Sequence, residues 1–337
     1  MLAQERENRL ELIDLQAGFI KNGQYYAAID QISFQIKPGQ VTCVVGESGS
    51  GKSVLALSIM NLLPQENGKR TKGEIWLNGQ NLAELKDIEM NALRGKEIAM
   101  VFQEPMTALN PILTIGFQIE EAMLNHLSIS KQEAHKRAVD LLKQVGITRA
   151  ESMIHEYPHK LSGGMRQRVI IAMAIACEPK LLIADEPTTA LDVSVQAQIL
   201  ELFKAIQRKH AMAILLITHD LGVVAEIADN VVVMYAGQIV EQGDVDVIFH
   251  DPKHPYLKLL LQLIPQLDQE RERFEAIQGS IPALMNRPLQ GCRFAERCPV
   301  VMEKCYIENP LLADSGANHY VRCLQYPDSD PANLRNG

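Results

Sequence analysis

The chain has 337 residues, 47% of them hydrophobic and 22% charged, enough for a full domain with a sizeable core and a smaller appendage. Its formal net charge of −8 argues against a nucleic-acid surface, since phosphate binding by charge needs a basic face. The charged start, MLAQERENRLELIDL, lacks the apolar centre of a secretory signal, and no apolar run reaches the ~18 residues of a membrane span. The expectation is a soluble, cytosolic protein.

Apolar runs bounded by turn residues predict strands at about 10–15 (LELIDL), 31–36 (QISFQI) and 41–45 (VTCVV). The third runs into GESGSGKS, Gly46 to Ser53, and then into a helical pattern over 52–63. Strand, G-x-x-x-x-G-K-[ST] and helix in this order are the setting of a phosphate loop. The glycines let the loop curl so that backbone N–H groups surround phosphates, and the helix adds its positive dipole end. The candidate nucleotide-binding residues are Gly46, Glu47, Ser48, Gly49, Ser50, Gly51, Lys52, Ser53 and Val54. Lys52 would reach the β and γ phosphates, and the Ser53 hydroxyl would ligate Mg²⁺.

From about 90 to 160 the pattern is mostly helical, with no convincing strand, as expected of a helical insertion between two parts of a sheet. Next come strands at 181–184, 213–217 and 231–234 and a helix at 194–209. Strands alternating with helices predict an α/β core with a largely parallel sheet. The run LLIA delivers two carboxylates, Asp185 and Glu186. Beside a phosphate loop, Asp185 suits Mg²⁺ and Glu186 suits orienting or deprotonating a water. From about Pro265 the patterning weakens and prolines recur.

The tail carries Cys292, Cys298, Cys305 and Cys323, while Cys43 and Cys177 sit in apolar runs and are expected to be buried. In a cytosolic protein disulfides are the weakest explanation of the four. The close C-x2-C pairs usual for structural zinc are absent, whereas iron–sulfur clusters tolerate wider, uneven spacing. A cluster, zinc and unligated thiols all remain open on the residues alone. A ligated site could staple a tail too small for its own core, or it could sense redox state. The staple is favoured because the cysteines fall outside every nucleotide motif.

LSGGMRQR, residues 161–168, resembles the signature motif of ATP-binding cassette (ABC) ATPases, with Met165 where Gln is usual. Gln103 in MVFQEP, Asp192 in TALD and His219 in LLITHDLG match the family's further motifs in order. The resemblance implies an ABC-type P-loop fold with a helical signature subdomain at about 90–165, a cassette over 8–250 and a cysteine-containing extension over 251–337. It implies that Gln103 meets Mg²⁺ and the water. His219 would contact the γ-phosphate, and Leu161, Ser162, Gly163, Gly164, Met165 and Asp192 would lie at the interface with a second cassette. Adenine would stack on Tyr25 or Tyr26. ATP hydrolysis, with Mg²⁺, would then fall to Lys52, Gln103, Glu186 and His219.

Longer stretches, among them VFQEPMTALNP, DPKHPYLKLLL and the cysteine tail, are similar to the oligopeptide, dipeptide and nickel permease ATPases, above all the D-type subunit. That likeness implies peptide import, with nickel or another small solute as the alternative cargo. The implied partners are an F-type ATPase, two transmembrane permeases and an extracytoplasmic solute-binding protein, with no nucleic acid. It places the chain peripherally on the cytoplasmic face of the inner membrane and gives Cys292, Cys298, Cys305 and Cys323 a [4Fe–4S] cluster, with Zn²⁺ as the alternative. ABC proteins of DNA repair or translation would normally carry two cassettes or a long coiled coil, and a module without turnover would be expected to lack Glu186 or His219.

Overall fold

The computed structural model describes residues 8–103, 108–189, 191–263 and 277–326. The chain divides into two compact units that interleave in sequence. One comprises Met1–Leu10, Ile36–Gln40 and Leu77–Ile217; the other comprises Glu11–Gln35, Val41–Trp76 and Thr218–Gly337.

In the first unit the strands Ile98–Val101, Leu181–Asp185 and Ala213–Thr218 run parallel, with Ile98 opposite Leu181 and Leu181 opposite Ala213. The last two strands are buried along their whole length. Burial on both faces is why they read as continuous apolar runs rather than alternating ones. Ile98–Val101 corrects the expectation that the stretch from 90 to 160 holds no strand. Four apolar residues carry too little periodicity to separate strand from helix, and here pairing with Leu181–Asp185 decides.

Beyond that strand the stretch is helical as expected, and the helices Ile115–His126, Lys131–Gln144 and Gly163–Ile175 pack on one another. Each begins at a hydroxyl that accepts from a first-turn amide: Thr114 from Phe117, Ser130 from Glu133, and Ser162 from Met165. Such caps contribute about 1 kcal/mol each and fix where the helices start.

In the second unit Val41–Val45 pairs in parallel with Asn230–Tyr235, placing Cys43 opposite Val231. Asn230–Tyr235 pairs antiparallel with Gln238–Asp244. The C-terminal extension continues this sheet: Tyr320–Val321 joins Gln238–Asp244, and Ala313–Asp314 joins Tyr320–Val321. The rings of Tyr235, Tyr256 and Phe294 are almost fully buried and meet tilted or edge-on at 4.9 to 5.4 Å. Three buried aromatics at about 1.5–3 kcal/mol each join the extension to the cassette strands.

Cys43 is buried as expected, and burial raises its thiol pKa. Cys177 is only half-buried, with its thiol donating to the Ala122 carbonyl at 3.4 Å. Its position at the C-terminal end of a helix leaves one side open. No helix among the described residues is long and apolar enough to cross a membrane.

Candidate functional site

The buried strand Val41–Val45 delivers the chain to Gly46 at φ 152. A Cβ there would lie 2.2 Å from the Met234 carbonyl oxygen, so only glycine fits. Gly51, at φ 106, caps the helix Lys52–Ile59 in the left-handed conformation and offers no side-chain acceptor to the first turn. That turn also lacks acidic residues, so its amides and dipole face an anion without competition. Lys52 is buried and lies across the loop, its Nζ donating to Gly46 O at 2.6 Å and Glu47 O at 3.1 Å. Ser53 is exposed on the first turn and Val54 is half-buried.

Tyr25 and Tyr26 are half-buried in the strand Gln24–Ile36, and strand alternation sends them to opposite faces. The Tyr25 hydroxyl accepts from Thr71 Oγ1 at 3.1 Å; that of Tyr26 donates to Gln24 Oε1 at 3.0 Å. Burial raises the Tyr25 pKa. His219 is exposed just beyond the strand Ala213–Thr218. It is followed by Asp220, whose Oδ1 accepts from the Gly222 and Val223 amides and starts the next helix.

In the first unit Asp185 ends its strand nearly buried, and Glu186 follows at φ 47. A left-handed glutamate costs on the order of 1 kcal/mol. It is held by its N–H donating to Ile217 O at 2.9 Å. The turn brings Glu186 to Gln103: Gln103 Nε2 donates to Glu186 Oε2 at 3.1 Å, and Thr189 Oγ1 donates to the same oxygen at 3.0 Å. Thr189 was not singled out from sequence; its place three residues past the carboxylate, in a turn, is the signal that could have found it.

In the signature segment Leu161 is the buried anchor, and Ser162 and Gly163 are exposed at the start of their helix. Gly164 packs too closely on Val195 for a Cβ, which would meet Cγ1 at 2.8 Å. Met165 is half-buried and gives its amide to Ser162 Oγ. Asp192 caps the helix Val193–His210, accepting from Val195 N at 2.9 Å and Ser194 Oγ at 2.7 Å. Those bonds hold its carboxyl below the usual range.

The four tail cysteines line one small cavity of about 10 Å³, together with His254 and Phe294. Gly291, at φ 82, folds the segment back so that Cys292 N donates to Cys305 O at 2.7 Å. All four are free thiols. Burial and the neighbouring sulfurs push the Cys292 thiol up to about 11, and burial raises Cys298 and Cys323 as well. His254, buried near Arg322, has its pKa lowered to about 3. Its Nδ1 accepts from Tyr256 N, capping the helix Pro255–Gln262. Among the described residues no three His, Cys, Asp or Glu side chains are arranged to hold a metal ion. The structure thus gathers the four sulfurs round one cavity, without a coordination geometry.

The sequence matches the ABC transporter family over residues 29–189 and the oligopeptide/dipeptide transporter C-terminal region over residues 240–305. It is 51% identical over 319 residues to the oligopeptide transport ATP-binding protein AppD of Bacillus subtilis (strain 168), covering 95% of this chain and 97% of that protein. The chain belongs to the ABC transporter ATP-binding subunits of the peptide-permease branch. The dipeptide transport ATP-binding protein DppD of Escherichia coli (strain K12) is 50% identical to this ABC subunit, over 90% of this chain and 92% of its own.

Among solved structures, the ATP-binding cassette MJ0796, a dimer in a post-hydrolysis state with ADP and Pi, matches with a TM-score of 0.63 at 28% identity. The match covers 70% of this chain and 98% of MJ0796. CbiO1 of Clostridium perfringens matches with the same TM-score and identity, over 73% of this chain and 92% of its own. The ABC subunit therefore has the α/β fold of an ABC ATPase cassette.

Proposed function

We propose that this ABC subunit hydrolyses ATP to power import of di- and oligopeptides through a multi-subunit transporter. The observation that carries the reading is kinship over 90–95% of the chain, extension region included, with subunits named for oligopeptide and dipeptide transport. The amides of Gly46–Ser53 and the helix dipole bind the phosphates, and Lys52 neutralises them. Ser53, Asp185 and Gln103 would hold Mg²⁺, which supplies charge neutralisation when bound. Glu186, aimed by Gln103 and Thr189, orients the attacking water and takes its proton. His219 contacts the γ-phosphate, Tyr25 or Tyr26 stacks on adenine, and Leu161–Met165 with Asp192 serve the nucleotide of the partner cassette.

That partner is a second, F-type ATPase. Two transmembrane permeases and an extracytoplasmic solute-binding protein complete the assembly, at the cytoplasmic face of the inner membrane. Residues 8–250 form the cassette and 251–337 the extension. Four soft thiols round one cavity would suit a thiolate-ligated [4Fe–4S] cluster, with Zn²⁺ as the alternative. The residues that would hold it are Cys292, Cys298, Cys305 and Cys323.

The test is uptake of labelled peptides by cells from which this chain has been deleted. Restoration by the wild type but not by Glu186→Gln supports the reading. Normal peptide uptake in the deletion strain, with loss of nickel uptake instead, overturns it.

A further inference from the structure

Three arginines of the extension reach back to the phosphate loop and its surroundings. Arg297 grips the Glu47 carboxylate with both terminal nitrogens, Nη1 to Oε2 at 3.1 Å and Nη2 to Oε1 at 3.2 Å. Its side chain is only 7% exposed. It is seated over the Tyr235 ring at 5.6 Å, and its Nε donates to Gln278 O at 2.9 Å. Arg287 donates to Gly49 O at 2.7 Å, at the turn of the loop, and to Ala28 O at 2.7 Å in the neighbouring strand. Arg293 ties Asp30 to the Ala236 carbonyl, each at 2.7 Å.

Two further residues complete the grip, Tyr256 of the extension and Gly237 ahead of it. The Tyr256 hydroxyl accepts from the Glu47 amide at 2.9 Å, and Gly237 N donates to Ser50 O at 2.7 Å. Gly237 has to be glycine, because a Cβ would lie 2.6 Å from Arg287 Nη1 and 2.3 Å from Ala28 O. Glu47, Gly49 and Ser50 are therefore each held from outside the loop.

A phosphate loop binds by pointing amides inward, and a loop fixed before the ligand arrives loses less entropy on binding. A bidentate guanidinium–carboxylate pair that is largely shielded from water fixes orientation as well as distance. Arg297 immediately precedes Cys298, and Arg293 immediately follows Cys292. The fold of the cysteine segment thus sets where both guanidinium groups stand.

We propose that Arg297, supported by Arg287, is a positioning residue for the phosphate loop, through which the cysteine-bearing extension sets the affinity of this subunit for ATP. The proposal rests on the reading that Gly46–Ser53 holds ATP. The test uses the purified full chain, MgATP titration by calorimetry, and hydrogen–deuterium exchange of the peptide spanning the loop.

Arg297→Ala is expected to weaken MgATP about tenfold and to speed exchange at the loop amides. Arg297→Lys, which keeps the charge but not the fork, should recover part of the affinity. Glu47→Gln approaches the same pair without touching the extension, so it separates loop positioning from misfolding of the tail. It should give the same shift, and the double variant Arg297→Ala with Glu47→Gln should be no weaker than either single one. Affinities within twofold of wild type, with unchanged loop exchange, overturn the proposal; so do single effects that simply add. If the wild type itself fails to bind MgATP, the nucleotide reading fails, while loop exchange still decides whether Arg297 orders the loop.

Discussion

Glu241 is the buried anchor between the extension and the cassette strands, and Glu241→Ala tests how much it contributes. Its carboxylate is fully buried. It accepts from Lys253 N at 2.8 Å and His254 N at 2.6 Å, and His319 Nε2 lies 2.7 Å from Oε1. Alanine leaves the buried His254 amide and His319 ring without an acceptor, at a cost of about 1–3 kcal/mol each. It also frees the amide of half-buried Lys253, which water can reach. Partial relaxation and the reduced charge burial lower the sum, so the expected loss is about 3–5 kcal/mol, typical of breaking a buried pair. Against a total stability of about 5–15 kcal/mol, that is a large fraction. Glu241→Gln keeps the volume and one acceptor oxygen and should lose about half as much. Trp76, the single tryptophan, lies in the same compact unit, so urea unfolding followed by its fluorescence reads the change. A loss below about 1 kcal/mol for the alanine variant would refute the assignment of this carboxylate as the anchor.

Gly46→Ala places a methyl group against the Met234 backbone, and no side-chain rotation relieves that contact. MgATP binding should fall by at least about a hundredfold, measured by titration, while Gly163→Ala, in open space, should leave binding by its own chain unchanged. Glu186→Gln keeps an oxygen for Thr189 but removes the base, so turnover by the assembled transporter should drop about 10²–10⁴-fold with ATP affinity retained. Anaerobic purification should yield iron and sulfide in equal amounts, lost together in Cys298→Ser. Zinc alone, or four free thiols without metal, would reject the cluster.

The sequence made the nucleotide chemistry legible because each motif is local. A glycine spacing dictates a loop, an apolar run dictates a buried strand, and the acids that end the run stand out. The Gln103–Glu186 contact spans 83 residues; the family likeness implied a role around one water for each residue, but the hydrogen bond between them is seen only in the structure. The strand Ile98–Val101 was lost since four apolar residues have no period to read. Least legible was the brace on the phosphate loop. Arg297 and Glu47 are 250 residues apart, and single arginines in an irregular tail carry no pattern. The inference that the cysteines stand apart from nucleotide binding held along the chain but not in space. Arg293 and Arg297, their immediate neighbours, reach Asp30 and the phosphate loop.

The central claim is that ATP hydrolysis by this subunit drives peptide import, and peptide-dependent ATP turnover tests it most directly. The chain is assembled with its second ATPase, the permeases and the solute-binding protein in proteoliposomes, and phosphate release is followed as peptides are added. The account predicts turnover that rises with di- or oligopeptide, requires the second ATPase and disappears in Glu186→Gln. Turnover by the isolated chain that ignores both peptide and Glu186→Gln would contradict it.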